Sequence, residues 1–216
     1  MLSDPKEDYA RGFVPFLGQK IFLDSRPLIP RTETEYWVEK AIREIKGDEG
    51  VRVVDLFAGS GCIGIAILAH VPGAHVTFAE KEKRHLPVIE KSIWENGIAP
   101  ARARVAQSDV WSGVTGRFTY IFANPPYVSK VRTTLEPSVA THEPEEALFA
   151  EDDGFALIQK TIEGLSEHLA HNGALWIEHE PFHTPRLLFE AAARSMSATT
   201  FPDQYQTLRY SKITVA

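Results

Sequence analysis

The chain has 216 residues, of which 44% are hydrophobic and 24% charged, a balance that suits one globular domain with a full core. Its net charge of −6 argues against a surface built mainly to hold nucleic acid, which needs clustered Lys and Arg, and leaves room only for a local basic rim. The single cysteine, Cys62, excludes an internal disulfide and fits the reducing cytoplasm; no apolar run reaches membrane-spanning length, and the N-terminus, with Asp4, Lys6, Glu7 and Asp8, lacks the shape of a signal peptide.

Residues 1–11 are polar and are expected to be loose. Residues 13–22, apolar with Gly12 and Gly18 beside them, read as a short hairpin or flap. Thr32 and Glu35 form a capping-box pattern, which starts a helix running to about Lys46, before Gly47. Its buried face would carry Trp37, Val38, Ala41, Ile42 and Ile45. Residues 51–57 are a strand, Gly59-Ser60-Gly61 a turn and residues 62–69 a helix, so the backbone can approach a ligand beside free N–H groups. A second strand, 74–80, ends in Glu80 and precedes a helix over 82–96 closed by Gly97. Residues 102–107 alternate as a strand does and lead to Ser108-Asp109; residues 118–123 form a buried strand. Residues 128–152 make a long irregular stretch of the kind that is usually functional or mobile. A helix over 154–171 broken by Gly173, a strand at 174–177, a helix over 184–196 and two strands within 198–215 complete the chain. Such alternation predicts an α/β fold, a doubly wound and mainly parallel sheet with helices on both faces.

The strand at 118–123 ends in Asn124-Pro125-Pro126-Tyr127. Neither proline can donate to a sheet ladder, and each pushes the residue before it to extended geometry. The corner is therefore stiff, and it lies beyond the carboxyl end of a strand, where open α/β sheets place ligands. The Asn124 side-chain oxygen and the Pro125 carbonyl can hold an NH2 group by both its protons, and Tyr127 offers a face for a flat group. A planar amide or exocyclic amine is the implied substrate.

Gly59, Gly61 and Gly64 satisfy G-x-G-x-x-G, and Glu80 stands about 20 residues on, where an acid grips ribose hydroxyls. A nicotinamide dehydrogenase fits that pattern. S-adenosylmethionine fits two further features better. Asp55, just ahead of the glycines, suits an ammonium group, and Asp109 suits an adenine amine with Val110 or Trp111 to stack on the ring. His179 and His183 stand among Glu178 and Glu180, but Pro181 interrupts any helix that would align them, so no metal is expected. Cys62 reads as a packed thiol.

Together these residues resemble the HemK-type family of glutamine methyltransferases, from about Gly18 onward. Leu28-Ile29-Pro30-Arg31-Thr32-Glu33-Thr34-Glu35 is similar to the family's I-P-R-P-x-T-E segment, and Val53-Val54-Asp55-Leu56 with Gly59-Ser60-Gly61 to its cofactor loop. Asn124-Pro125-Pro126-Tyr127 is similar to its substrate motif; Glu143-Pro144 with Ala147-Leu148, and Glu178-His179, also follow the pattern. Phe57-Ala58 replaces the usual Gly-Thr, Thr32 a proline and Glu80 an aspartate. The resemblance implies a Rossmann-like class I methyltransferase with seven strands, the last antiparallel, and S-adenosylmethionine as cofactor. It implies catalytic roles for Asn124, Pro125, Pro126 and Tyr127, and cofactor contacts from Asp55, Phe57, Gly59, Gly61, Glu80, Asp109, Val110 and Asn124. Arg31 and Glu143 would face the substrate, a glutamine in the Gly-Gly-Gln loop of a peptide chain release factor. Family members usually carry a helical N-terminal domain; here a leader over 1–17 and one methyltransferase domain over 18–216, acting as a monomer, are expected. The tetrapeptide is shared with adenine-N6 and guanine-N2 methyltransferases, so a nucleic-acid amine is the alternative acceptor.

Overall fold

A computed structural model describes residues 4–45, 47, 50–133 and 135–215. The first helix, α1 (Pro5–Arg11), occupies the stretch expected to be loose. Asp4 caps it by accepting the Lys6 N–H at 3.0 Å, proline sits in the first turn, and Gly12 ends it in left-handed geometry. Strands β1 (Phe13–Phe16) and β2 (Gln19–Phe22) form the expected antiparallel hairpin. Its two-residue turn, Leu17-Gly18, has positive φ at both positions, as the twist of a hairpin favours. The boundary expected between residues 17 and 18 therefore falls at the tip of one hairpin.

Helix α2 spans Thr32–Ile45, and Lys46, its expected end, lies outside the described residues. Thr34, Trp37, Val38, Ala41, Ile42 and Ile45 are its buried residues, a stripe at helical spacing. The expected capping box is not formed. The Glu35 carboxylate instead accepts the Leu17 N–H at 2.6 Å, and Thr32 donates to Glu33. Tertiary contact with the hairpin turn outcompetes the local cap.

Strand β3 (Arg52–Leu56), helix α3 (Cys62–His70) and strand β4 (His75–Glu80) follow. Helix α3 is buried from Cys62 to Leu68, so it lacks a polar face. Gly64 lets it settle on the sheet, because a Cβ there would stand 2.3 Å from the Phe78 ring. One 3-10 turn (Lys83–His85) precedes α4 (Leu86–Glu95), and Gly97 closes it with positive φ. Strands β5 (Ala103–Gln107) and β6 (Phe118–Ala123) complete the first half.

Within the irregular stretch after β6, the described residues include a short α-helix, α5 (Pro137–His142), and 3-10 turns at Glu145–Ala147 and Asp152–Gly154. The helix expected over 154–171 is divided into α6 (Ala156–Glu163) and α7 (Leu165–His168). Gly164 marks the break, and a Cβ there would meet the Trp111 indole nitrogen at 2.2 Å. Strand β7 (Leu169–Glu178) begins earlier than expected, since Leu169 pairs with Phe118 rather than continuing a helix face. Helix α8 (Thr184–Ala192) stops short of Met196; Ser195 takes positive φ and turns the chain into β8 (Met196–Pro202), followed by β9 (Leu208–Val215).

Strands β3 to β9 form one seven-stranded sheet in the order β5-β4-β3-β6-β7-β9-β8, separate from the β1-β2 hairpin. All neighbours are parallel except β9, which runs antiparallel to both β7 and β8. Helices α2, α3 and α4 with the hairpin bury one face, around Trp37, Ile65 and Phe78; α6 and α8 bury the other, around Ile158, Ile162 and Leu187. The strand order reverses between β3 and β6, and Leu56 pairs with Ala123 at their carboxyl ends. The loops that begin at Phe57 and Asn124 therefore leave the sheet side by side, where the crossovers part and a crevice must open.

Candidate active site

Two adjoining cavities occupy that crevice. One, of about 150 Å³, is lined by Phe57, Gly59, Glu80, Asp109, Val110 and Pro126, among others. The second, of about 260 Å³, is lined by Arg31, Pro125, Tyr127, Glu178, Glu180 and Arg209, among others. Asn124, Leu28 and Ala147 line both. The proline corner thus forms the partition: Pro126 faces one chamber, Pro125 and Tyr127 the other, and Asn124 stands between them.

The first chamber is organised by Glu80. Its Oε2 accepts the Gly59 N–H and its Oε1 the Glu82 N–H, both at 2.7 Å, which ties the glycine loop to the end of β4. Burial pushes its carboxyl pKa up. A carboxylate has about four lone-pair sites, so each oxygen keeps capacity for a hydroxyl. Phe57 holds φ at 64°, a conformation glycine enters freely and other residues adopt at a cost of about 1–3 kcal/mol. Asp109 sits at the rim in an ion pair with Lys81 at 3.6 Å. Val110 belongs to the wall, whereas Trp111, the other stacking candidate, turns away and stacks on His168 at 4.5 Å.

Asp55 and Gly61 line neither cavity. Asp55 is buried behind the loop; its Oδ2 accepts the Gly64 N–H at 2.9 Å, and Oδ1 is without a hydrogen-bond partner. Burial pushes its carboxyl up to about 8. It braces the turn from α3 rather than presenting charge to the chamber. Gly61, with φ of 79°, opens α3, and a Cβ there would press on Ile89 at 3.1 Å.

The second chamber is organised by Glu178 at the end of β7, which is 1% exposed. Its Oε1 accepts the Tyr127 hydroxyl, and its Oε2 accepts both the Thr34 hydroxyl and the Trp37 indole N–H, all at 2.7 Å. Asn124 Nδ2 in turn donates to Thr34 Oγ1 at 3.2 Å. Burial and the adjoining carboxylate keep the Tyr127 phenol protonated. Arg31 lines the chamber and pairs with buried Glu143 at 2.7 Å, so Glu143 braces Arg31 from behind. Leu28 and Arg31 belong to the segment between β2 and α2, which α1 supports through the Tyr9 hydroxyl, donating to the Pro27 carbonyl at 2.6 Å.

Sequence reasoning missed Thr34, Trp37 and Glu178 as site residues, and also Gly154. A Cβ on Gly154, whose φ is 88°, would come within 2.0 Å of the Tyr127 carbonyl, so the corner rests on bare backbone. The Asp152-Asp153-Gly154 run was the available signal, a turn composition directly after the long loop. His85, in the first chamber and hydrogen-bonded to Ser25 at 2.7 Å, was missed too. His179 turns into the sheet toward Ser211, and His183 toward the Asp153 carbonyl, so the two do not converge. Among the described residues no group of His, Cys, Asp and Glu could hold a metal ion.

The seven-stranded sheet with its flanking helices is a Rossmann-like methyltransferase fold. The fold matches a methyltransferase from Pyrococcus furiosus (TM-score 0.68, 15% identity, 98% of this chain and 93% of that one). It matches the hMettl16 catalytic domain, solved with the MAT2A 3′UTR hairpin 1, equally well (TM-score 0.68, 17% identity, 92% and 75% covered). The "Methyltransferase small domain" family model matches residues 40–142. Among relatives, the release factor glutamine methyltransferase of Deinococcus radiodurans is 30% identical over 193 residues, covering 89% of this chain and 68% of the relative. That of Chlorobaculum tepidum is 30% identical, with 95% and 71% covered, and that of Lactococcus lactis 34% identical, with 79% and 62% covered. The chain belongs to the release factor glutamine methyltransferase family. It spans about two thirds of the length of these relatives, from 62% to 71%. Family and fold imply S-adenosylmethionine as the cofactor, and the first chamber fits it, with unspent lone pairs on Glu80 and an apolar wall at Phe57 and Val110.

Proposed function

We propose that this chain transfers a methyl group from S-adenosylmethionine to the side-chain amide nitrogen of a glutamine, the one in the Gly-Gly-Gln loop of a peptide chain release factor. The observation that carries this reading is Asn124, the polar side chain shared by both chambers. Glu80 would hold the ribose, Asp109 the adenine amine, and Phe57, Gly59 and Val110 the remaining surface. When bound, the cofactor supplies an electrophilic methyl group. An amide nitrogen is a poor nucleophile because its lone pair is delocalised into the carbonyl. Asn124 Oδ1 and the Pro125 carbonyl accept both amide protons and so favour the localised lone pair, while Tyr127 holds the amide plane. Holding the nitrogen in line replaces a chance encounter, and a positioned hydrogen bond of this kind is typically worth roughly 3 kcal/mol of barrier. Arg31, braced by Glu143, lines the acceptor's entry.

The compartment is the cytoplasm, and the chain acts as a monomer on this reading; among the described residues no helix is long and apolar enough to cross a membrane. Labelled cofactor offered with a release factor, with its Gly-Gly-Gln variant carrying alanine for glutamine, and with tRNA, rRNA and DNA decides the acceptor. Label should enter the release factor and be lost with the alanine variant. Label in nucleic acid instead would move the assignment to an exocyclic amine.

A further inference from the structure

The two ends of an asparagine amide have nearly the same shape, so only their hydrogen bonds determine which way it faces. Here the choice is made by residues outside the tetrapeptide. The Trp37 indole can only donate, and it donates to Glu178 Oε2. Thr34 has one hydroxyl proton, and that proton points at the same oxygen, 2.7 Å away. The Tyr127 hydroxyl takes the other oxygen. Burial pushes the Glu178 carboxyl up, but the hydrogen bonds from Trp37, Thr34 and Tyr127 pull it back; all three donors are satisfied together only by the ionised form, which can only accept. Thr34 therefore has only lone pairs left for Asn124, and the Asn124 NH2, at 3.2 Å, is the group that can meet them. The amide oxygen is left facing away from Thr34.

We propose that Thr34, its hydroxyl proton claimed by Glu178, is a positioning residue that sets the Asn124 amide with its oxygen toward the methyl acceptor. The inference rests on the acceptor-binding role assigned to Asn124 above. Thr34 and Asn124 are 90 residues apart in sequence, and Thr34 is 1% exposed, so no solvent stands in for its hydroxyl. Remove that hydroxyl and the Asn124 amide can turn over. Turned over, it would offer N–H groups to an acceptor that is itself an NH2, and the two donors would face each other. Thr34 touches neither reacting atom. It acts through Asn124.

Thr34→Val keeps the volume and removes the hydroxyl; Thr34→Ser keeps the hydroxyl. Methyl transfer by Thr34→Val should fall in kcat by about 10-fold or more, short of the roughly 100-fold cost of losing a preorganised hydrogen bond at the reacting group itself, with cofactor Kd by calorimetry within twofold of the parent. Thr34→Ser should restore kcat to within threefold. The deciding measurement is the same substitution in an Asn124→Asp background. Both oxygens of an aspartate accept, so orientation no longer matters; Thr34→Val should cost nothing there, and it should return part of the rate that the facing Thr34 lone pairs take away. Equal losses in both backgrounds would reduce Thr34 to a packing residue and overturn the inference, as would a Thr34→Val enzyme with the parent kcat. Side-chain amide resonances of 15N-labelled protein give a readout independent of any acceptor. The Asn124 NH2 should shift and exchange faster in Thr34→Val (or Thr34→Ala, should valine disturb folding) but not in Thr34→Ser. An unchanged resonance overturns the inference. A parent enzyme that labels no glutamine while the resonance responds as expected would overturn the function reading alone.

Discussion

The Tyr127 hydroxyl donates to Glu178 Oε1 at 2.7 Å, joining the corner after β6 to the end of β7 across the floor of the larger chamber. Two neighbouring strands thereby hold one aromatic ring in place, and the ring's proton has no competing acceptor among the bonds made there. Hydrogen bonds to charged groups contribute about 1.5–3 kcal/mol. Tyr127→Phe should therefore lower stability by about 2 kcal/mol, seen as an earlier urea midpoint, and should reduce methyl transfer more than cofactor affinity.

Asn124 should respond in a graded way. Asn124→Ala loses the acceptor altogether and should lower kcat by about 100-fold. Asn124→Asp keeps an acceptor oxygen and should retain more activity. Some loss should remain, because the Thr34 proton already belongs to Glu178 and a second carboxylate would face oxygen lone pairs. Single-turnover rates for the two variants check the order; equal loss would argue against an acceptor role.

Gly154 supports the corner from below. An alanine there must hold φ of 88° and place its Cβ 2.0 Å from the Tyr127 carbonyl. The left-handed backbone alone costs roughly 1–2 kcal/mol, and relief of the overlap must move either chain segment. Gly154→Ala should lose about 2 kcal/mol or more in chemical denaturation, together with methyl-transfer rate, while cofactor affinity changes little.

Asp55 governs a pH dependence of stability. Burial raises its carboxyl from 3.8 to about 8, so the folded chain favours the neutral acid. Between those two values the unfolded chain has released a proton that the folded chain retains. Stability from this group is therefore full below about pH 4 and declines as pH rises toward 8. Asp55→Asn removes the charge and keeps the shape. Urea midpoints at pH 5 and pH 8 should show the parent losing stability relative to the variant as pH rises; parallel curves would remove Asp55 as the cause.

Much of the architecture was legible because its signals are local. The helical stripe from Trp37 to Ile45, the glycine turn after β3 and the prolines after β6 act through backbone geometry within a few residues. Even α1 carried its signals, with Asp4-Pro5 at one end and Gly12 at the other, although the polar composition suggested a loose leader. The divided helix after residue 154 was not legible, since its break answers to Trp111, far away in sequence.

The sequence by itself determined that a stiff corner with an amide stands beside a glycine loop at the end of a parallel sheet. Which acids face the chamber was decided only by tertiary structure. Asp55 and Glu80 both stand at the carboxyl end of a strand ahead of a helix, and they read alike in the chain. Yet Asp55 lies in a central strand, covered by α3 and committed to the Gly64 N–H, while Glu80, one strand further out, is left facing the chamber. The links from Thr34 and Trp37 to Glu178 close over 144 and 141 residues, so no local pattern encodes them. They exist because α2 packs its buried face where β6 and β7 end, and a burial-driven contact of that kind is a property of the folded chain alone.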